Sequence, residues 1–533
     1  LEREGHRFAS DHSDTEVLIY AYRQWGEGML ERLNGMWAFA IYDRVARKLF
    51  LSRDRFGEKP LFFTSRGKNF AFASELTALT RHSAISPSIS KIALQKYFAY
   101  GYIPAPFSIF EGIEKLPAGC SLSLSLESGA SKISRYWNYV LEPFERIPKN
   151  PEAEWGEELV RLLRVAVKSR LMADVDLGIL LSGGIDSSII AALAAEESPE
   201  PIKTFSIGFE EKSFDESDYA ALVADAVGSQ HHAETLSMEK SRALIPGIVA
   251  RLDEPMGDSS LIPTCLVSRT ARKGVSVALG GDGGDELFAG YDPFAALATA
   301  RRYQQLVPRP LHPAITHLAG CLPVSHKNMS RGFKINRALS ALSHPAPLWG
   351  PIWMATLPPT DLERLFGEKI DLEEIYAEAI SAWESCPQDN HVDRLSQFFI
   401  KLYLEDDILV KTDRASMMHG LEVRAPFLDI DLVDFVRRLP WRFKYRRGQR
   451  KYLLKKAVAP LLPKAILQRP KKGFGVPVGR WFQQKQLTIE GGLDFPGIRG
   501  EAAKTFLADH LAGRVDHRLF LWNYWLLEKM KLG

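Results

Sequence analysis

A loop rich in glycine and serine is the part of the sequence best suited to chemistry. This first glycine loop follows an apolar run, precedes a helical pattern and consists of Leu180-Leu181-Ser182-Gly183-Gly184-Ile185-Asp186-Ser187-Ser188. Two adjacent glycines allow a tight turn, so backbone N–H groups, the hydroxyls of Ser182 and Ser187 and the helix N-terminus can surround a phosphate. Asp186 would repel that phosphate unless it binds Mg²⁺, which bridges carboxylate and phosphate oxygens. The alternative, a helix capped by a serine, would explain Ser182 but not Asp186. The loop is not a Walker A motif, because it contains neither GKS nor GKT.

A second glycine loop carries three carboxylates within five residues. It also follows a β-type run and consists of Leu279-Gly280-Gly281-Asp282-Gly283-Gly284-Asp285-Glu286-Leu287-Phe288-Ala289-Gly290-Tyr291. Four glycines between positions 280 and 284 let a nucleotide approach the backbone closely. We predict that Asp285 joins Asp186 as a magnesium ligand. The alternative is a polar loop whose aspartate caps a helix.

Both loops need strands that end side by side. Strand–loop–helix units recur as Leu177–Leu181 into Ser187–Ala195, Thr204–Phe209 into Tyr219–Val227, and Val275–Leu279 into Asp285. This alternation predicts a parallel sheet covered by helices.

The flanking regions have different patterns. Short alternating runs before about Tyr136 predict antiparallel strands, whereas proline-rich connectors after Tyr291 indicate a helical extension. We place the main boundary in the charged, proline-containing segment Glu142–Glu152.

The composition is that of a globular protein and points to no special environment. The net charge is only +3, so no global field favours nucleic acid or membrane, and the apolar runs are too short to span a bilayer. The four cysteines are scattered, with no CxxC pair and no zinc spacing. Such cysteine usage favours a reducing cytoplasm.

These segments resemble a known family. The first glycine loop resembles the pyrophosphate loop of ATP pyrophosphatases, enzymes that adenylylate a substrate. The second resembles the asparagine synthetase pattern SGEGSDEvFgGY, from which it departs at Gly280, Asp282 and Gly284. Other segments resemble the same family in the same order: Asp253–Thr264, expected near nucleotide and acyl acceptor, then Lys411–Ser416, Leu421–Asp429 and Arg469–Phe474.

The resemblance implies a glutamine-hydrolysing asparagine synthase that uses ATP and Mg²⁺. A carboxylate, aspartate by family default, would attack the α-phosphate, and ammonia from glutamine would displace AMP. Lys471 would stabilise the departing pyrophosphate, and Asp282 would act as a base toward ammonia. The positions that would contact adenosine are Leu180, Ile207, Gly280 and Gly281.

The first part of the chain is similar to the rear of an N-terminal-nucleophile glutaminase, through Gly35–Asp43 and Ser52–Leu61. Asp14 aligns with the residue that binds the α-amino group of glutamine. Such enzymes need an N-terminal cysteine, and the RHRGPD and NGEIYN segments of the family are absent here. We therefore expect the nucleophile to precede Leu1. We also expect the chain from Leu1 to Gly533 to use ammonia but not glutamine.

The expected fold is α/β. A partial antiparallel αββα glutaminase (glutamine amidotransferase type 2) domain, residues 1–140, would precede a parallel-sheet ATP-pyrophosphatase domain of the adenine nucleotide α-hydrolase type with a helical extension, residues 151–533. The expected partners are small molecules, namely glutamine or ammonia, ATP and aspartate or a similar carboxylate. We expect no nucleic acid and no membrane, and we consider a homodimer as the assembly.

Three other functions are weighed against this one. An amidotransferase acting on a sugar acid of surface polysaccharide would share every motif. A tRNA-modifying enzyme could use the basic run Lys444–Lys472, which has eleven Lys or Arg and no acidic residue; it lacks the paired cysteines of thiolating members, and we interpret the run as a solvated face plus one functional loop. A non-catalytic scaffold would not need the magnesium and phosphate ligands.

Overall fold

The computed structural model describes residues 1–11, 13–66, 69–325, 330–469 and 475–530. Its strands are β1 Ala38–Asp43, β2 Lys48–Arg53, β3 Phe62–Arg66, β4 Asn69–Ala73, β5 Glu114–Lys115, β6 Cys120–Ser125, β7 Ser131–Arg135, β8 Leu177–Leu180, β9 Lys203–Phe209, β10 Gln230–Leu236, β11 Val277–Leu279, β12 Glu422–Arg424, β13 Tyr445–Arg446 and β14 Gln449–Arg450. Its α-helices are α1 Asp14–Trp25, α2 Leu76–Thr80, α3 Lys91–Tyr100, α4 Pro151–Arg170, α5 Ile185–Glu197, α6 Ser217–Ala226, α7 Met238–Val249, α8 Leu261–Arg272, α9 Gly284–Leu287, α10 Asp292–Leu306, α11 His312–Gly320, α12 Arg331–Leu342, α13 Trp349–Met354, α14 Pro359–Phe366, α15 Leu372–Ile375, α16 Ala377–Glu384, α17 His391–Phe398, α18 Leu409–Met417, α19 Ile430–Arg437, α20 Trp441–Lys444, α21 Tyr452–Ala457, α22 Lys464–Gln468, α23 Val478–Gln483, α24 Gly500–Leu511 and α25 Arg518–Met530.

The N-terminal part folds into two antiparallel sheets, as the alternating residues predicted. One sheet has the strand order β1-β2-β6-β7 and the other has the order β4-β3-β5. Leu51, Phe63 and Leu122 belong to one buried apolar cluster that joins the two sheets. The opposite face of the larger sheet packs on α1, where Phe50 contacts a cluster containing Ala21. Because apolar residues alternate along the strands, the larger sheet can pack on the second sheet with one face and on α1 with the other.

The central sheet of the second part is parallel, which confirms the prediction. Its strand order is β10-β9-β8-β11-β12. Leu279 pairs with Ile179 in parallel register, so β8 and β11 end at the same edge and the two glycine loops that follow them lie side by side. Helices cover both faces: α4 and α5 pack on the side of Ile179, and α8 packs on the side of Phe205.

Two strands of this sheet were not predicted from the sequence. β10 is an edge strand that pairs with β9, and its residues are mostly polar. β12 has three residues and joins the sheet from far along the chain. Neither strand carries the periodic apolar signal on which a sequence prediction depends.

A long helical rod joins the two parts of the chain. It runs through α17, a π-helical segment Phe399–Ile408 and α18. The π-helical segment presents Glu405 to the N-terminal part, where Arg53 Nη1 lies 3.3 Å from Glu405 Oε1. About two turns further, Lys59 Nζ lies 2.8 Å from Asp413 Oδ1. Among the described residues, no helix is long and apolar enough to cross a membrane.

Candidate active site

The candidate site is a cleft of about 800 Å³ at the carboxyl ends of β8, β9 and β11. Most of the predicted site residues line it: Leu180, Ser182, Gly184, Asp186, Ser187, Ile207, Gly280, Gly281, Asp282 and Asp285. Gly183 lies behind the lining. Asp14 is an exposed residue in the first turn of α1 and takes no part in this cleft. Lys471 lies outside the described residues, so its predicted role stays a prediction.

The first glycine loop is organised by its own hydroxyl groups. Ser182 Oγ lies 3.1 Å from Ser187 Oγ, and the Gly184 N–H donates to Ser182 Oγ over 3.3 Å. No side chain caps the first turn of α5, which begins at Ile185. The N–H groups of that turn therefore have no side-chain acceptor, and an anion at the loop would supply one.

Gly183 adopts a backbone conformation that favours glycine. Its φ is +68°, and a Cβ atom there would lie 2.5 Å from the backbone nitrogen of Ala220. The loop therefore turns against the start of α6 with no space for a side chain.

Arg469, which precedes the segment containing Lys471, holds the first glycine loop from outside. Arg469 Nη1 donates to the carbonyl of Gly183 over 2.6 Å. The same guanidinium pairs with Glu216 and lies 4.5 Å from the ring centroid of Tyr219. Arg469 thus positions the loop, a role that sequence reasoning did not assign.

A buried lysine joins the two predicted metal ligands. Lys451 Nζ lies 2.6 Å from Asp186 Oδ1 and 2.6 Å from Asp285 Oδ1, and Lys451 is only 5% exposed. Burial by itself would lower the pKa of Lys451, but the two carboxylates outweigh it and raise that pKa. A metal is therefore not the only group that can neutralise Asp186, because the ammonium group of Lys451 also does so.

The two carboxylates nevertheless suit a magnesium ion. In the described part of the chain, no group of three or more His, Cys, Asp or Glu side chains could hold a metal. Mg²⁺ commonly takes only one or two protein carboxylates and completes its octahedron with phosphates and water. Gly284 makes room for this arrangement, since a Cβ atom there would lie 2.6 Å from Asp186 Oδ1. Asp186 and Asp285 therefore fit an ion that arrives with a nucleotide.

A second charged group lies deeper in the cleft. Lys411 Nζ lies 3.0 Å from Asp258 Oδ2, and the Thr412 hydroxyl donates to Asp282 Oδ2 over 3.0 Å. Burial raises the pKa of Asp282, although Lys411 and Thr412 oppose this shift. Burial would also raise the pKa of Asp258, but Lys411 and two hydrogen bonds from Ser260 lower it. Asp282 is thus the better proton acceptor of the two carboxylates.

The two ends of the segment Asp253–Thr264 lie in different parts of the structure. Asp253 lies at the junction with the N-terminal part, where it accepts from the Leu76 N–H at 3.1 Å and pairs with Arg414 at 2.7 Å. Only the later residues of the segment, from Gly257 onward, line the cleft. The resemblance implies that the whole segment lies near nucleotide and acceptor, whereas Asp253 does not line the cleft.

Comparison with known proteins decides the family. A family model described as "Asparagine synthase" matches residues 158–528, and one described as "Glutamine amidotransferase domain" matches residues 1–137. The chain belongs to the asparagine synthase family. Among its relatives, a putative glutamine-hydrolysing asparagine synthetase of Mycobacterium bovis is 34% identical, over 97% of this chain and 79% of that protein. Asparagine synthetase 1 of Bacillus subtilis is 30% identical, over 98% of this chain and 81% of that protein.

Other relatives of this asparagine synthase-family chain carry different names. A Gibberella zeae protein called amidase chry2 is 26% identical, over 88% of this chain and 74% of that protein. A solved structure titled as the allosteric regulatory enzyme of purine biosynthesis covers 44% of this chain and 56% of its own, at 14% identity. Its TM-score of 0.20 carries no argument about the fold.

The basic run of this family member is not simply a solvated face. Lys444 is 0% exposed and Lys451 is 5% exposed, so the interpretation of the run is wrong for both. Sequence reasoning also assigned no role to Thr412 or Asp258, although both lie in segments that resemble the family. A single lysine in a basic run gave no signal of its own, because its partners lie more than 150 residues away in the sequence.

Proposed function

We propose that the protein converts aspartate to asparagine, with ATP as the activating substrate and aspartyl-AMP as the intermediate. One observation carries the proposal: Lys451 lies between Asp186 and Asp285, beside the first glycine loop and the uncapped N-terminus of α5. Positive groups placed around a departing pyrophosphate are what nucleotidyl transfer requires.

In the first step, an aspartate carboxylate oxygen attacks the α-phosphorus of ATP. The bond from that phosphorus to the bridging oxygen of the β-phosphate breaks, and pyrophosphate leaves with the bonding electrons. Lys451 and the N–H groups of α5 stabilise its growing negative charge. Mg²⁺, when bound at Asp186 and Asp285, would supply further neutralisation of the phosphates.

In the second step, ammonia attacks the acyl carbon of the adenylate. The bond from that carbon to the phosphate oxygen breaks, releasing AMP and forming the amide. Nitrogen must lose a proton in this step, and Asp282 accepts it because its carboxylate lies in the cleft with a raised pKa.

The remaining assignments belong to the same proposal. Residues 1–140 form the glutaminase part and residues 151–533 the synthetase part, with Asp14 on the glutamine side. All four cysteines are free thiols, in keeping with a reducing cytoplasm.

The test is a pyrophosphate-release assay with ATP, Mg²⁺, ammonium and a panel of carboxylic acids. We expect release to depend on aspartate and to be lost in Asp186→Asn, which keeps the size of the side chain but removes its charge. Asp176→Asn is the control, because Asp176 is 72% exposed in its side chain. Full activity of Asp186→Asn would contradict the assignment of the loop.

The same panel tests another acceptor. Two relatives named amidases are 26% and 27% identical to this chain, and a sugar acid fits the same chemistry. Pyrophosphate release with a sugar acid but not with aspartate would replace the acceptor and leave the activation step unchanged.

A further inference from the structure

Arg337 is a cation in the wall of the cleft with no carboxylate of its own. It lies on α12 and lines the same cleft as the two glycine loops. Its guanidinium donates to the backbone carbonyls of Ile352 and Ala355, and it forms no ion pair with any described carboxylate. Arg337 is half-buried, and the carboxylate that attracts it most, Asp516, is already paired with Arg518. A partly desolvated cation that forms no ion pair of its own is costly, so Arg337 is suited to receive an anion from a ligand.

Neighbouring side chains hold this guanidinium rigidly. The ring of Phe333 lies between two arginines, with its centroid 5.2 Å from Arg337 Cζ and 5.3 Å from Arg518 Cζ. Arg518 is already matched, because its Nε lies 2.7 Å from Asp516 Oδ2. Burial lowers the pKa of Arg337 to about 10, so the guanidinium stays charged at neutral pH.

A short series of contacts links Arg337 to the reacting part of the cleft. The carbonyl that it binds belongs to Ala355, and the next residue, Thr356, accepts a hydrogen bond from Asn523 Nδ2 at 2.7 Å. Thr356 and Asn523 line the cleft together with Gly257 and Asp258, and Asp258 pairs with Lys411. Arg337 is therefore several residues away from the groups that face the activated carboxylate.

The phosphate end of the cleft has cations of its own. Lys451 lies between Asp186 and Asp285, and Lys334, which also lines the cleft from α12, pairs with Asp292 at 2.6 Å. Arg337 is therefore available to bind an anionic group of the substrates other than the phosphates of ATP.

We propose that Arg337, backed by Phe333 and Arg518, binds a second anionic group of the acyl acceptor, distinct from the carboxylate that is activated. This inference rests on the proposed function and names a residue that would select its acceptor. The acceptor carries two anionic groups, as aspartate does, and a simple monocarboxylic acid lacks the group that Arg337 binds.

The test measures binding and turnover separately. Calorimetry with aspartate and with succinate, in the presence of a non-hydrolysable ATP analogue, compares the parent protein with Arg337→Gln, Arg337→Lys and the control Arg302→Gln. Arg302 is exposed on α10. We expect Arg337→Gln to weaken dicarboxylate binding at least tenfold, Arg337→Lys to weaken it less, and Arg302→Gln to leave it unchanged.

The kinetic arm repeats the comparison by pyrophosphate release with ammonium. We expect a raised KM for the acceptor, a kcat within about threefold and an unchanged KM for ATP in Arg337→Gln. Equal dicarboxylate binding by parent and Arg337→Gln overturns the proposal, as does a parent that binds no dicarboxylate, or an effect confined to ATP. Loss of binding in the variant while the parent releases no pyrophosphate would contradict the proposed function and uphold the role of Arg337. The Lys variant keeps the charge and decides the question if the Gln variant fails to fold.

Discussion

At the scale of single residues, Lys451 connects the two glycine loops. It adopts a left-handed conformation with φ of 54° just before α21, and its ammonium group lies within 2.6 Å of carboxylates from both loops. Because the two carboxylates raise the pKa of Lys451, its buried ammonium group keeps its proton. We infer that it serves the transition state, in which charge on the pyrophosphate is greatest.

Replacing Lys451 by Ala should therefore slow catalysis more than it weakens ATP binding. We expect kcat for pyrophosphate release to fall by roughly 100-fold or more, with a much smaller change in the Kd of ATP. Single-turnover kinetics and equilibrium ATP binding measure the two effects. Lys456→Ala is the matched control, since Lys456 is 55% exposed and pairs with Glu152. A variant that only raises KM for ATP would make Lys451 a ground-state contact.

At the scale of elements, the junction of β8 and α5 sets the shape of the site. The chain must leave the strand, turn back on itself at Gly183 and enter α5 with its first N–H groups free of side-chain caps. Arg469 donates a hydrogen bond to the carbonyl of Gly183, and the first residues of α6 pack against the same turn. The loop is thus preorganised before any ligand arrives, which is how binding avoids the cost of ordering.

Two glycine substitutions, one at this junction and one between α6 and β10, separate backbone strain from steric overlap. Gly183 and Gly228 both have positive φ, but a Cβ atom on Gly228 would meet nothing within 4 Å, whereas one on Gly183 would meet Ala220. We expect Gly228→Ala to cost about 1 kcal/mol of unfolding free energy and Gly183→Ala to cost more. Denaturant unfolding measures both. Only Gly183→Ala should also lose pyrophosphate release, and equal effects of the two variants would contradict this account of the loop.

At the scale of the whole molecule, the two parts of the chain share a buried charged interface. Its centre is the π-helical segment, where Asp406 is 4% exposed and accepts from the Ala105 N–H at 3.1 Å. Burial, followed by the neighbouring charge of Glu405, raises the pKa of Asp406 to about 8, although Lys115 and Arg53 oppose the shift. The folded protein therefore keeps this carboxyl protonated at neutral pH, while the unfolded chain ionises near pH 4.

This difference gives the stability a defined dependence on pH. Because the folded pKa lies above the unfolded value, the contribution of Asp406 is fully present below about pH 4 and is lost as pH rises toward 8. Asp406→Asn cannot ionise, so its stability relative to the parent should grow over that range, by on the order of 5 kcal/mol.

Thermal unfolding midpoints at pH 5.5 and 8 test the prediction. Asp389→Asn is the control, because the side chain of Asp389 is 98% exposed, and it should show no such trend. A constant difference between Asp406→Asn and the parent at both pH values would show that Asp406 is already ionised in the folded state.

The sequence by itself determined the family and much of the architecture. Apolar alternation placed β1, β2 and β4, strand–loop–helix repeats placed β8, β9 and β11, and the family blocks identified an asparagine synthase. These inferences hold because periodicity and glycine-rich turns are local properties, which the order of residues carries directly. The predicted adjacency of the two glycine loops also followed, since neighbouring parallel strands end at one edge of the sheet.

Only the tertiary structure decided which distant charges meet. The pairing of Lys451 with Asp186 and Asp285, the pairing of Lys411 with Asp258, and the position of Arg337 in the cleft join residues from separate helices and loops. No local pattern reports such contacts, because a lysine or arginine looks the same in a sequence whether it is solvated or buried against a carboxylate. Burial then fixes the charges and pKa values on which the chemistry depends, and burial is a property of the packed chain.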